Sequence, residues 1–186
     1  TFYRAVAASS MHDVMSASQA GYADYGFLGA AQMDMYGNIN TTVIGDHDHP
    51  RARLPGSGGA NDVASFSNRL IIIIANQSPR TFVPRVDFLT TPGYLDGPGA
   101  RERAGLAEGS GPYRLITQLG IYGFDGETKR LTLLSRHPGV TLEEIRESSG
   151  FEIAIPRGIE TSPEPSAEEL RILREEIDPA GIVLGK

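Results

Sequence analysis

Cysteine is missing from this sequence altogether. That excludes disulfides and thiolate metal sites, and it fits a cytoplasmic location. Positive charge is also short: 17 Lys and Arg against 23 Asp and Glu leave a formal net charge of −6. A nucleic-acid binder would carry a basic stripe, so no nucleic-acid partner is expected. A local group of backbone N–H donors can still bind an anion on an acidic chain. Long apolar runs are absent too. The longest, LIIIIA at 70–75, is strand-sized and far below the roughly 20 residues of a membrane helix, so no membrane partner is expected. No glutamate occurs before Glu102. The first residue is Thr1 rather than Met, nothing near it reads as a signal peptide, and the sequence opens directly into structured-looking residues. It is therefore expected to be a piece of a longer polypeptide.

What is present suits one globular unit. The 186 residues are 40% hydrophobic and 22% charged, and a chain of this size buries ~70% of its unfolded surface. Helical spacing of Met11, Val14, Met15 and Ser18 predicts a helix over 10–20, with the methionines as core filling. A buried strand is expected over 25–32, turn chemistry over 36–40 with Gly37 and Asn38 suited to positive φ, and a strand over 41–44. A short helix over 62–69 precedes the run at 70–75, which reads as a strand covered on both faces. Another strand is expected over 86–90, and 91–111 reads as a Gly- and Pro-rich loop without regular structure, a length often functional. Residues 113–122 and 130–135 read as an antiparallel pair around Asp125-Gly126. Thr141 and Glu144 form a capping box for a helix that Gly150 closes, with a last strand over 151–155. The Pro-rich stretch 162–166 reads as a linker, and Ser166 with Glu169 caps a C-terminal helix running to about Asp178. Strands interleaved with helices indicate an α/β fold: an open, mixed, largely parallel sheet flanked by helices, with a β-hairpin. The expected division is a core over 1–160, then a linker and a helix packing on that core over 161–186.

Four features could carry chemistry. RLPGSGGANDVAS, at 53–65, places three glycines ahead of an expected helix. It has no Gly-Lys-Ser/Thr for a P-loop and lacks the spacing of a dinucleotide fingerprint. Gly58 and Gly59 have no side chains, so their N–H groups can approach a thioester oxyanion or a phosphate, and the helix start favours negative charge. A plain glycine turn fits the loop equally well. Asp46, His47, Asp48 and His49 alternate as metal ligands do, yet Pro50 and the polar setting favour a surface loop, so no metal is expected. Arg51 and Arg53 could steer an anion towards the loop or simply be solvated, and His137 reads as a structural hydrogen-bonder in a turn. Gln32, Asn38, Asn40, Thr41 and Thr42 form a polar cluster at a strand end, where open α/β sheets bind ligands.

Two motifs taken together carry a resemblance. GAAQMDMYGNINTTVIG at 29–45 and GSGGAN at 56–61 resemble the B subunit of family I coenzyme A transferases, most closely the glutaconate branch. Supporting matches lie at 96–101, 149–153 and 174–179, in order, so the resemblance covers nearly the whole chain. It implies a CoA-transferase-like α/β architecture of the NagB/RpiA type. It implies an A-subunit partner in a hetero-oligomer, coenzyme A as a substrate with no tightly bound cofactor, and CoA transfer between an acyl-CoA and a small carboxylic or dicarboxylic acid. In the family a glutamate attacks the acyl-CoA, giving an acyl-glutamyl anhydride and then a glutamyl-CoA thioester. That glutamate is expected upstream of Thr1, so this chain alone is expected to be inactive; Glu102, Glu108 and Glu127 match no motif. Gly58 and Gly59 are then the oxyanion donors. Gln32, Asn38, Asn40, Gly56, Ser57, Ala60 and Asn61 are the substrate- and CoA-binding set. Two alternatives share the scaffold: a ring-opening CoA-thioester hydrolase of steroid catabolism, whose B subunits share the HPGV motif at 137–140, and a non-catalytic subunit that only supports a partner.

Overall fold

The run Arg69–Ile74 forms the strand that organises the molecule. In the computed structural model, which describes residues 5–183, the elements run in chain order as follows. Helix α1 (Met11–Gln19) leads to strand β1 (Tyr25–Gly29). Four short strands come next: β2 (Gln32–Met33), β3 (Ile39–Asn40), β4 (Val43–Gly45) and β5 (Pro50–Arg53). Helix α2 (Ala60–Phe66), strand β6 (Arg69–Ile74) and the single turn α3 (Ala100–Arg103) precede strands β7 (Gly111–Thr117), β8 (Gly120–Phe124) and β9 (Leu131–Arg136). Helix α4 (Leu142–Glu147), strand β10 (Glu160–Thr161) and helix α5 (Ala167–Arg171), which continues as a π-helical turn over Ile172–Ile177, complete the chain.

One six-stranded sheet has the order β1-β6-β7-β8-β9-β10. Strands β1, β6 and β7 are parallel, β7-β8-β9 are antiparallel, and β10 is parallel to β9. Strand β2 pairs with β3, and β4 with β5, in two small antiparallel ladders. The expected mixed α/β sheet is therefore present.

Along β6 the side chains alternate. Leu70, Ile72 and Ile74 are buried, whereas Ile73 is 49% exposed and Phe27, on the neighbouring strand, is 62% exposed. The expectation that this strand is covered on both faces thus fails within the described residues. Helix α2 packs on β1, where a Cβ at Gly26 would collide with Val63 and Ser67; the opposite face of these strands carries no described helix. The core lies on the covered side, with Met33, Phe82, Leu115, Tyr122, Leu133 and Ile145 all at or near zero exposure. Phe82 stacks on Phe151 and meets Tyr122 edge-on.

Several local expectations are corrected. The strand expected over 25–32 stops at Gly29, because the chain turns so that Gln32 and Met33 pair with Asn40 and Ile39. Between them Asp34 Oδ1 accepts the N–H groups of Tyr36 and Asn38, and only Gly37, not Asn38, takes positive φ. Residues 86–90 form no strand; Ile39 instead bonds the backbone at Thr90 and Thr91. Pro50–Arg53 is an edge strand rather than loop, as proline permits at a sheet border. The span 113–122 divides at Gln118-Leu119 into two strands. The Asp125 turn does close the β8–β9 hairpin, through its carboxylate and the N–H groups of Glu127 and Thr128. Residues 151–155 make one bridge only, Thr132 to Ala154. Met11 is 74% exposed, so α1 does not use it as core filling. Ser166 and Glu169 do form the reciprocal capping box, and none of the residues of α5 or the π turn is buried.

Past the end of β6, Gln77 is a buried junction. Its Oε1 accepts from Thr117 Oγ1 (2.9 Å) and Tyr122 OH (2.7 Å), and its Nε2 donates to Ile145 O. Burial pushes the Tyr122 phenol up to about 12. Tyr122→Phe is expected to cost about 1 kcal/mol by chemical denaturation, since Thr117 still satisfies the glutamine oxygen. A spectrophotometric titration of the wild-type chain, less that of the variant, should show one tyrosine ionising near 12. A difference curve centred near 10 would contradict the burial account.

Candidate functional site

Two threonines fix the glycine loop. Gly56 N–H donates to Thr41 O at 2.8 Å, Thr41 Oγ1 donates back to Gly56 O at 3.0 Å, and Leu54 N–H donates to Thr42 O. Gly56 has φ +93°, a region glycine adopts without strain. The chain then turns at Ser57, whose carbonyl accepts Ala60 N–H and whose hydroxyl accepts Asn61 N–H, and α2 begins. Gly58 lies between with φ +48° and open space where a Cβ would be. The N–H groups of Gly58 and Gly59 meet no acceptor among the described residues, while those of Gly56, Ala60 and Asn61 are all occupied. The loop therefore offers two successive unpaired donors on fixed backbone.

Gly59 differs from its neighbour. Its φ of −88° is open to any residue, and the obstacle to a side chain is Met15, whose Cε would lie 2.6 Å from an added Cβ. The sequence singles out both glycines alike; in the structure only Gly58 needs glycine for its backbone angle.

A polar network joins this loop to the β2–β3 ladder. Gln32 is 5% exposed; its Oε1 accepts from Asn40 Nδ2 at 2.7 Å and Asp87 N–H at 3.1 Å, and its Nε2 donates to Asp87 Oδ2 at 3.0 Å. Asn40 Oδ1 in turn accepts the N–H groups of Thr42 and Val43 and the hydroxyl of Thr90. Thr90 Oγ1 accepts Thr41 N–H, and Thr90 O accepts Asn61 Nδ2. Gln32, Asn40, Gly56 and Asn61 are thus tied into one network, with Ser57 and Ala60 on the same loop. Asn38 stands apart. It donates to Asp34 Oδ2 and Leu95 O and accepts from the N–H groups of Gly93 and Leu95, so its amide staples the 93–95 backbone. Burial pushes the Asp34 carboxyl above the ordinary aspartate range, against the pull of its three N–H partners.

Sequence reasoning missed three contributors. Asp87 and Thr90 sit in a segment that reads as a plain strand; a lone aspartate amid VDFL was the available signal. Arg101 is 1% exposed and donates to four oxygens, yet the sequence shows it only as part of a matched motif. The DHDH segment is a turn: Asp46 Oδ1 caps Asp48 and His49, and His47 stacks on Phe88 at 5.2 Å. Among the described residues no group of three or more His, Asp or Glu could hold a metal ion, and no helix is long and apolar enough to cross a membrane. Arg53 donates to His47 O, and His137 is held by Thr117 O and Leu119 O, as expected of a structural histidine.

A sequence model of the coenzyme A transferase family matches residues 1–148. The chain belongs to the coenzyme A transferase family. It is 43% identical over 154 residues to the B subunit of glutaconate CoA-transferase from Acidaminococcus fermentans, covering 82% of this chain and 56% of the relative. It is 44% identical over 156 residues to the B subunit of 3-oxoadipate CoA-transferase from Pseudomonas knackmussii, covering 84% and 59%. A more distant relative, the cholesterol ring-cleaving hydrolase IpdB subunit of Rhodococcus jostii, is 29% identical over 157 residues, covering 83% and 60%. The chain spans somewhat over half the length of these curated relatives. Among solved structures, glutaconate coenzyme A-transferase of Acidaminococcus fermentans superposes with a TM-score of 0.86 at 38% identity, covering 94% of this chain and 66% of that one. The decarboxylase AibA/AibB superposes with 0.79 at 28%, covering 95% and 66%. The α/β fold expected of a coenzyme A transferase is therefore the fold observed.

Proposed function

We propose that this chain is part of the B subunit of a coenzyme A transferase. It works with an A subunit to move CoA between an acyl-CoA and a small carboxylic or dicarboxylic acid. The observation that carries the reading is the pair of unpaired N–H donors at Gly58 and Gly59, on a loop clamped by Thr41. Preorganised backbone donors stabilise the oxyanion that forms when a thioester carbonyl is attacked. Two relatives that are B subunits of CoA-transferases, at 43% and 44% identity, support the transferase over other thioester chemistry. In the proposed cycle an enzyme glutamate carboxylate attacks the thioester carbon and expels CoA thiolate, leaving an acyl-glutamyl anhydride. The thiolate then attacks the glutamyl carbonyl, releasing the carboxylate product and forming glutamyl-CoA. Gly58 and Gly59 donate to the carbonyl oxygen as it gains charge; Gln32, Asn40 and Asn61 hold the loop and the β2–β3 ladder in register around it, and Asn38 fixes the adjoining 93–95 backbone.

The test uses the full-length B subunit with its A subunit. Incubation with acyl-CoA followed by borohydride should reduce the glutamyl-CoA thioester to an alcohol, release CoA and abolish turnover. Full activity after that treatment, with water opening the ring of a cyclic β-keto acyl-CoA at a C–C bond in the absence of any acceptor acid, would instead establish the hydrolase reading that the IpdB similarity suggests. A complex that binds no CoA would leave only a supporting role.

A further inference from the structure

Beside the β2–β3 ladder lies a cleft of about 730 Å³ that the thioester chemistry leaves unassigned. Arg51, Arg80 and Arg85 line it together with Gln32, Thr81 and Asp87. On an acidic chain, three guanidinium groups facing one cleft would ordinarily find carboxylates. None of these three makes an ion pair or a side-chain hydrogen bond among the described residues. The one acid present, Asp87, is already engaged, because its Oδ2 accepts from Gln32 Nε2 and from Gly45 N–H.

The arginines are also presented from fixed backbone. Arg80 and Arg85 each follow a proline, and the segment that carries them is bound to β2. Met33 N–H donates to Thr81 O at 2.7 Å, Val83 N–H donates to Met33 O at 3.0 Å, and Thr81 Oγ1 reaches Asn76 O. Arg51 comes from β5 and lines the same cleft. A planar guanidinium suits bidentate binding of a carboxylate or phosphate, and a pre-ordered array binds with less entropy loss. Gln32 is common to the cleft and to the network that ends at the glycine loop.

We propose that this three-arginine cleft is an oxyanion subsite that receives the anionic group of the substrate remote from the reacting carbonyl. It rests on the acyl-CoA reading above. Two sources share that chemistry: the distal carboxylate of a dicarboxylic acyl chain, and a phosphate of the CoA nucleotide. Asp87 holds Gln32 and β4 in place through neutral donors and keeps its own charge, so three arginines against one carboxylate leave the cleft lining net positive.

The experiment is calorimetric binding to the full-length A–B complex, wild type and the double variant Arg80→Gln/Arg85→Gln, with Arg51→Gln as a separate single variant. The four probes are glutaryl-CoA, pentanoyl-CoA, CoA and pantetheine. The exposed, unbonded arginines should leave the melting temperature unchanged. With a carboxylate source, the double variant weakens glutaryl-CoA by about tenfold or more and leaves pentanoyl-CoA unchanged. With a phosphate source, it weakens CoA and both acyl-CoAs alike and leaves pantetheine unchanged. Lysine at both positions should recover part of the loss. Affinities that are unchanged, or weakened equally for all four probes, overturn the subsite. Binding is read apart from turnover, in complexes whose nucleophilic glutamate is replaced by glutamine so that no glutamyl-CoA forms; selective loss beside a parent complex inactive as a transferase keeps the subsite and rejects the transferase, whereas unselective loss beside an active one does the reverse.

Discussion

Replacing Arg101 by alanine is expected to lower the folding stability by about 4 kcal/mol, the range of a broken buried charged network. The side chain is buried, and its guanidinium joins three separate stretches of chain through four hydrogen bonds. Nη1 donates to Pro92 O (3.1 Å) and Gly93 O (2.8 Å), and Nη2 donates to Ala64 O and Ser110 Oγ (both 3.1 Å). The carbonyls of Pro92, Gly93 and Ala64 have no other donor among the described residues, so alanine would orphan all three. Each unsatisfied buried group costs about 1–3 kcal/mol, and relief of the desolvated charge offsets part of the sum. Nε has no partner, and burial holds the guanidinium below the usual arginine range. Gly111 helps create the space: a Cβ there would stand 3.1 Å from the Arg101 side chain. Lysine should recover less than half, because one ammonium cannot span carbonyls that a planar fork reaches. Urea denaturation of the chain measures it, and a loss below 1 kcal/mol would show that water or rearranged backbone replaces the bonds. The consequence for the site is indirect. Arg101 ties the C-terminal half of α2 to the 92–93 backbone, the same backbone that Asn38 staples, and α2 opens at the glycine loop.

What was legible in the sequence follows from how local each signal is. The capping box at Ser166, the aspartate turn at Asp125 and the β-branched run of β6 act through neighbours within a few residues, and each appears where its pattern places it; at Thr141 only the hydroxyl half of the expected box forms, as an N-cap bond from Glu144 N–H. Signals that depend on a distant partner were misread. GFLGAAQ looks like one strand because its residues all suit a strand, but Asn40 recruits Gln32 into a separate ladder. LIIIIA looks doubly covered because composition cannot say which face a helix takes. At the site, glycine content marked the loop, but the distinction between Gly58 and Gly59 lies in backbone angles and in a methionine some 44 positions away. Arg51 reads either as an anion-steering or as a solvated charge; its company, Arg80 and Arg85, is set by the β4–β5 hairpin and a proline-bounded segment pinned to β2.

Gly58→Val in the full-length A–B complex is expected to lower kcat by 10²- to 10³-fold, the effect of losing one oxyanion donor at about 3–4 kcal/mol. At φ +48° a β-branched residue clashes with its own backbone, so the peptide must rotate and carry its N–H away from the carbonyl oxygen. There is room for the side chain itself, since no atom lies within 4 Å of the added Cβ; the strain is conformational. The contrast with two neighbours separates this effect from simple destabilisation. Gly59→Ala keeps an allowed backbone and needs only the flexible end of Met15 to move, so it should cost less than about tenfold. Gly56→Val strains a φ of +93° just as badly, but its N–H is committed to Thr41, so stability should fall more than the intrinsic rate of the folded fraction. Because the donors act on charge that develops only in the transition state, Gly58→Val should reduce kcat with little change in KM. A folded Gly58→Val complex with wild-type turnover, or one whose loss lies wholly in KM, would remove the glycine loop from the chemistry.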